Sequence, residues 1–251
     1  MLIKDIIDFL IPPVCVVCRC RLTSSERAIC TTCIGGVSQT NYHLLSPNPL
    51  ERIFWGQINI DKAVAFMYYS NKQSRHIMMD NKYLGHPEVG YYIASEYAKT
   101  LSKTDFFQGI DFIVPVPISR QRRWKRRYNQ SECIARGVSD TAGIPLRADI
   151  VKKIIHTPSQ TSLKPMERKK NVSRAYKLTR PDDAHGKHIL LVDDVATTGS
   201  TLTSCAKEIA KAGDVTFSIL VLAHASSHPI PPSTDDFADS SSLGLPIPLD
   251  L

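Results

Sequence analysis

Between Ala63 and Ala223, short runs of consecutive apolar residues alternate with stretches whose apolar positions recur at helical spacing. Ala63–Tyr69 is one such run, and Asp111-Phe-Ile-Val-Pro115 predicts a short buried strand. Lys187-His-Ile-Leu-Leu-Val192 and Val215–Ala223 predict strands apolar on both faces, as in a parallel sheet covered by helices. Helices are predicted over about 88–103, 131–142 and Thr201–Lys211, the last two closed by Gly143 and Gly213, where a left-handed cap is usual. This strand-helix-strand order gives an α/β fold over residues 61–225, a parallel sheet flanked by helices.

The two ends of the chain read differently. Met1–Leu10 is apolar, but Lys4, Asp5 and Asp8 interrupt it and no small-residue cleavage site follows, so a short amphipathic helix is expected rather than a signal peptide. Residues 34–60 carry little periodicity, and 1–60 is read as a module of its own. Residues 226–251, rich in Ser, Pro and Asp, are expected to be a disordered tail. No apolar run approaches the roughly 18 residues a membrane-spanning helix needs. A cytoplasmic location is expected, where disulfides are rare.

Composition adds one constraint. The 31 Lys and Arg exceed the 24 Asp and Glu by seven, which fits an anionic partner, a phosphorylated metabolite or a nucleic acid, without choosing between them. The cysteines say more. Cys15-x-x-Cys18 and Cys30-x-x-Cys33 are two closely spaced thiolate pairs separated by an 11-residue spacer, a set that suits tetrahedral Zn²⁺. Four thiolates leave no open position on the ion, so the expected role is structural, in a small zinc-ribbon-like module. Cys20 competes with Cys18 as a ligand at a less suitable spacing, and Cys133 and Cys205 fall on predicted helices as small core residues. The eight His are scattered without metal spacing.

The segment Ile189-Leu-Leu-Val-Asp193-Asp194-Val-Ala196-Thr197-Thr198-Gly199-Ser200-Thr201 carries the candidate chemistry. A buried strand ends in adjacent carboxylates, and ligands of an open parallel sheet sit beyond the carboxyl ends of its strands. Asp193 and Asp194 are therefore candidates to hold sugar hydroxyls. The small, hydroxylated turn Ala196–Thr201 leads into a helix N-terminus, where backbone N–H groups converge into an anion site and Gly199 allows a phosphate close approach. Paired acids at a strand end also occur in phosphoacceptor domains and in nucleotide triphosphatases. The chain, however, holds neither a Gly-x-x-x-x-Gly-Lys-[Ser/Thr] loop nor a Gly-x-Gly-x-x-Gly turn. The whole register resembles the signature of type I phosphoribosyltransferases, which implies a site for 5-phosphoribosyl pyrophosphate.

A second arm follows the strand at 111–115. Six of the nine residues from Arg120 to Tyr128 are basic, just beyond another strand end. In the resembled enzymes a loop in this place binds pyrophosphate, and Ile118, Ser119 and Arg120 are the matching positions. Two other readings stay open: a solubilising run, or a grip on single-stranded DNA by Arg122, Arg123, Arg126 and Arg127 with Trp124 and Tyr128 as stacking platforms.

Val114-Pro-Val-Pro117, Arg126-Arg-Tyr-Asn-Gln130, Ser159-Gln160, Arg168 with Asn171-Val172, and Leu191-Val-Asp-Asp-Val195 occur in the order found in ComF-type proteins, and the resemblance runs from about Phe9 to about Ala225. It implies an N-terminal four-cysteine zinc element and a phosphoribosyltransferase-fold domain using Mg²⁺ with its pyrophosphate substrate. It also implies an association with natural competence, with single-stranded DNA and competence proteins as partners, and leaves open an enzyme that transfers phosphoribose to an unidentified acceptor or a non-enzymatic accessory factor of DNA uptake. Gln160, Arg168 and Asn171 resemble residues of a cover over the substrate, Arg168 as a ligand. Arg127 stands where the family usually has glycine.

Overall fold

The computed structural model describes residues 12–70, 72–83, 87–154 and 175–225. The helix expected at Met1–Leu10, the cover residues Gln160, Arg168 and Asn171, and the tail at 226–251 lie outside the described residues.

The central sheet is parallel, with β1 (Ile60–Tyr68), β2 (Phe112–Pro115), β5 (His188–Ala196) and β6 (Thr216–His224) in the order β1-β6-β5-β2. β5 pairs with β6 from His188↔Thr216 to Ala196↔His224, and β2 pairs with the first half of β5. Residues 145–147 extend the β2 edge: Ile113 N donates to Pro145 O and Arg147 N to Ile113 O, both at 2.8 Å. β3 (Val151–Lys153) and β4 (Tyr176–Leu178) form a separate antiparallel ribbon.

Side-chain alternation along the strands divides the core in two. Leu190 and Val192 face α4 (Pro87–Leu101) and α6 (Gln130–Ala142), where Val89, Ile93, Ile134 and Val138 are buried. Ile189 and Leu191 face α8 (Ser200–Ile209) and the short α2 (Pro49–Phe54). Burying one such aliphatic side chain contributes about 1.5–3 kcal/mol. α4 and α6 approach closely because α6 carries Gly137: a Cβ there would lie 2.4 Å from Tyr91 O.

The cysteine segment is built onto the sheet. Val16, Leu22 and Ile29 share the core of α4 and α6. Residues 38–40 run antiparallel along β1, Tyr68 N donating to Ser38 O at 2.9 Å and Thr40 N to Phe66 O at 3.1 Å, so the β1 edge is covered. The remaining helices are α1 (Thr31–Gly35), α3 (Lys72–Tyr83), α5 (Arg120–Arg126) and α7 (Pro181–Ala184). Among the described residues no helix is long and apolar enough to cross a membrane.

Two elements depart from the sequence reading. β5 does not stop at Val192 but continues through Asp193 and Asp194 to Ala196. The basic run, given no element by the sequence pattern, is a helix, α5: Ser119 caps it, its Oγ accepting from Arg122 N at 3.3 Å, and its Arg, Gln and Lys are good helix formers. Arg127 ends α5 with φ +67°, the left-handed conformation that glycine adopts without strain.

That conformation costs a non-glycine residue about 1–2 kcal/mol, against about 0.5–1 kcal/mol of chain entropy that glycine loses on folding. Arg127→Gly is accordingly expected to raise the thermal midpoint by roughly 2–4 °C per kcal/mol of net gain. Arg127→Val, β-branched at the same φ, is expected to lower it. A midpoint for Arg127→Gly below that of the parent would show that the Arg127 side chain contributes more than its backbone strain costs.

Candidate functional site

The carboxyl ends of β2 and β5 open into a cavity of about 310 Å³. Val116, Pro117 and Ile118 form the wall beyond β2, while Asp193, Asp194 and Val195 line it from β5. β5 can carry two carboxylates this deep because donors meet them. Asp193 is 8% exposed, and its Oδ1 accepts from Ser131 Oγ at 2.8 Å and from Asp194 N at 2.9 Å. Asp194 Oδ1 accepts from Val195 N at 2.7 Å. Charge-assisted hydrogen bonds of this kind offset the cost of burying a carboxylate.

Beyond Asp194 the chain turns sharply into α8. Ala196 is buried and its carbonyl accepts from Ala225 N at 2.8 Å, which anchors the start of the turn. Gly199, at φ +68°, precedes the first helical residue, and a Cβ there would lie 2.6 Å from Ile53 Cγ2 and 2.9 Å from Phe54 Cε1 of α2. Only glycine fits both the torsion and the space. Thr197 and Thr201 line the cavity, so the N-terminal turn of α8, whose first N–H groups have no partner within the helix, borders it.

α5 supplies cations with two separate orientations. Arg122 and Arg126, four residues apart on one stripe of the helix, line the cavity. Arg126 Nη1 donates to Gln130 Oε1 at 3.0 Å, and Gln130 and Ser131 bring the start of α6 to the same cavity. Arg120, Arg123, Trp124, Lys125 and Arg127 instead surround a shallow concavity of about 750 Å³, with Trp124 86% exposed. The basic run thus divides: two of the residues considered for DNA face the cavity at the strand ends, and Arg120, considered for pyrophosphate, faces outward with Trp124. Ser119 acts on α5 as its cap, and Thr198, Gly199 and Ser200 shape the turn without lining the cavity.

Several lining residues carry no sequence signal. Lys153 and Tyr176, cross-strand partners of the β3–β4 ribbon, close one side of the cavity, and Tyr69 adds to the wall. Lys153 Nζ donates to Tyr176 Oη at 3.4 Å and lies 5.1 Å from the Tyr176 ring centroid. Burial pushes the Lys153 ammonium below its ordinary pKa, Arg122 adds to the effect and Asp193 opposes it. Burial likewise raises the Tyr176 phenol. His185 and His188 are at the opposite, amino end of the sheet, whereas His224 is buried at the carboxyl end, its Nδ1 3.0 Å from Tyr42 Oη.

The four cysteines expected to act together do converge. Sγ atoms of Cys15, Cys18, Cys30 and Cys33 all lie within 4.8 Å of one another and could hold a metal ion. Backbone N–H groups point at the sulfurs, Cys30 N donating to Cys15 Sγ at 3.3 Å and Cys33 N to Cys30 Sγ at 3.4 Å, as suits thiolate ligands. Cys20 Sγ is 3.1 Å from Cys18 Sγ.

A model of the phosphoribosyl transferase domain family matches residues 90–241. Competence protein F of Haemophilus influenzae is 36% identical over 114 residues, 45% of this chain and 50% of that protein, so this match spans half of that protein's length. DNA utilization protein YhgH of Shigella flexneri is 28% identical over 220 residues, 83% of this chain and 89% of that protein. Among solved structures, an allosteric regulatory enzyme of purine biosynthesis is 18% identical with a TM-score of 0.40, over 57% of this chain and 30% of that one. The matched residues take in β2, the Asp193–Asp194 pair and the turn into α8, and the chain belongs to the phosphoribosyl transferase domain family as a ComF-type member.

Proposed function

We propose that this chain binds 5-phosphoribosyl pyrophosphate and transfers its phosphoribosyl group to an acceptor. One observation carries the reading: two carboxylates, Thr197 and Thr201 of the turn into α8, and two arginines line a single cavity of about 310 Å³. In this reading Asp193 and Asp194 hold the ribose hydroxyls. The α8 turn from Ala196 to Thr201 takes the 5-phosphate through backbone N–H groups and the Thr197 and Thr201 hydroxyls. Arg122 and Arg126, beside the strand-end residues that lead to Ile118, Ser119 and Arg120, meet the pyrophosphate.

Such a transfer passes through a cationic ribose with pyrophosphate departing, so the residues act by holding the reacting groups in line and by stabilising charge. The hard oxygen donors at the cavity suit Mg²⁺, which when bound supplies charge neutralisation at the pyrophosphate. Titration calorimetry with 5-phosphoribosyl pyrophosphate and Mg²⁺ tests the reading. Asp193→Asn with Asp194→Asn is expected to weaken binding at least about a hundredfold, since a hydrogen bond to a charged group contributes roughly 1.5–3 kcal/mol. Undiminished binding by this double variant would overturn the assignment.

A second reading rests on the outer face of α5. We propose that Arg120, Arg123 and Arg127 grip a nucleic-acid backbone while the exposed Trp124 stacks on a base. Relatives named for competence and DNA utilization support this reading. With Trp124 and Arg123 both changed to Ala, single-stranded DNA affinity is expected to fall tenfold or more, since stacking on one base contributes about 1–3 kcal/mol. Its salt dependence should weaken as well, with phosphoribosyl pyrophosphate binding preserved. DNA affinity that survives these changes and is insensitive to salt rejects this reading.

We further propose that Cys15, Cys18, Cys30 and Cys33 hold a structural Zn²⁺. Because Cys15, Cys30 and Cys33 share a core with α4 and α6, zinc removal is expected to weaken the whole domain. A chelator should lower the thermal midpoint by roughly 10 °C or more, the size expected for losing several kcal/mol. Melting should stay a single transition, and an unchanged midpoint after verified zinc removal would exclude a structural role.

A further inference from the structure

The polar residues that open α6 reach away from their own helix. Asn129 stands at the N-cap position, where asparagine is among the preferred residues, yet its side chain makes no capping hydrogen bond and donates to Val116 O at 3.1 Å. Gln130 Oε1 accepts from Arg126 Nη1 of α5 at 3.0 Å, and Ser131 Oγ donates to Asp193 Oδ1 of β5 at 2.8 Å. Asn129, Gln130 and Ser131 are all buried, and their partners Val116, Arg126 and Asp193 all line the cavity. A turn that only packed α6 onto the sheet could be apolar on both sides of the contact at little cost in stability. The start of α6 is arranged around the cavity instead.

Ser131 makes the link closest to the paired acids. Its hydroxyl, from α6, and the Asp194 N–H, from β5 itself, converge on one oxygen, Asp193 Oδ1, at 2.8 and 2.9 Å. Two donors on one oxygen fix the plane of the carboxylate, so Asp193 meets the cavity in a single orientation. We propose that Ser131 is a positioning residue that, through Asp193, makes the cavity select a ribose carrying both vicinal hydroxyls. The proposal rests on the reading above in which Asp193 and Asp194 hold those hydroxyls.

A site built to hydrogen-bond a hydroxyl rejects an analogue lacking it, because its buried polar group is then left short of a partner. That rejection depends on an acceptor held in place. A carboxylate able to rotate finds another partner, and the missing hydroxyl then costs less. Ser131 braces Asp193 from a second element, 62 positions away in the chain, where the strand alone offers one donor from the next peptide. The brace works through a donated hydrogen, so a thiol of similar shape, a weak donor, does not replace the hydroxyl.

The test measures how well ribose 5-phosphate and its 2-deoxy and 3-deoxy analogues compete with 5-phosphoribosyl pyrophosphate for the full chain. The parent protein is expected to bind ribose 5-phosphate about tenfold or more tighter than either analogue, the discrimination that one hydrogen bond to a charged group supplies. In Ser131→Ala the preference over at least one analogue should fall about threefold or more. Ser131→Cys should show the same fall, and it gives the readout if the alanine variant does not fold. A ratio of affinities is independent of the folded fraction, and a residue that only stabilised the fold would leave the ratios unchanged. Ratios equal to the parent's in the folded variants, or a parent protein that binds the three sugar phosphates equally, overturn the role of Ser131 while the ligand assignment stands. Failure of the parent protein to bind 5-phosphoribosyl pyrophosphate overturns the ligand assignment, and this role with it.

Discussion

A carboxylate at the end of an otherwise apolar central strand must be met by donors, and the architecture around Asp193 is organised by that requirement. The strand delivers Asp193 into a nearly closed environment, 8% exposed. Its Oδ1 is satisfied by Ser131 from the first turn of α6 and by the peptide N–H of Asp194. Removing either donor would leave a desolvated charge short of a partner, which costs more than the bond itself contributes. The start of α6 is thereby fixed against the end of β5. Gln130 beside it holds Arg126 at 3.0 Å, so the anchoring of the buried acid extends to the arginines of α5.

α5 owes its position to what flanks it. None of its residues is buried, and its packing gives it little stability. Its ends are defined instead: Ser119 caps the first turn, and Arg127 reverses the chain at φ +67° into Asn129, whose side-chain amide donates to Val116 O at 3.1 Å. Between these ends the helix is tied to α6 by side chains alone, Arg123 pairing with Glu132 at 3.4 Å and Arg126 donating to Gln130, while Arg122 and Arg126 turn toward the cavity and Trp124 faces solvent.

The sequence reveals the parts whose pattern is local. β5 and β6 show as unbroken apolar runs, α4 and α6 as periodic stretches, and the acid pair with its glycine turn as a contiguous register. α5 leaves no periodic trace because a helix without an apolar face has none to leave, and β5 looks shorter than it is because Asp193 and Asp194 interrupt its apolar run. β3 and β4 are three residues each, too short to show a period. The contacts that complete the cavity are long-range. Ser131 and Asp193 are 62 positions apart and Lys153 and Tyr176 are 23 apart, so only the folded chain brings each pair together.

The N-terminal segment reads as a module of its own in the sequence, and in the structure it packs against β1 and the turn into α8. Residues 38–40 pair along β1, and Asn48 then donates to Ala63 O at 2.8 Å while its Oδ1 caps α2, accepting from Leu50 N and Glu51 N. α2 sets Ile53 and Phe54 directly against Gly199, close enough to exclude any side chain there. On the other side of the sheet, Gln73 of α3 donates to Cys33 O at 3.1 Å, tying the cysteine cluster to the helices that cover the central strands. A continuous set of short contacts therefore runs from the four thiols to β1 and on to the turn that opens α8. Interiors packed this closely transmit displacement rather than absorb it. The cysteine cluster and the cavity at the ends of β2 and β5 are in this way joined through β1 and α2.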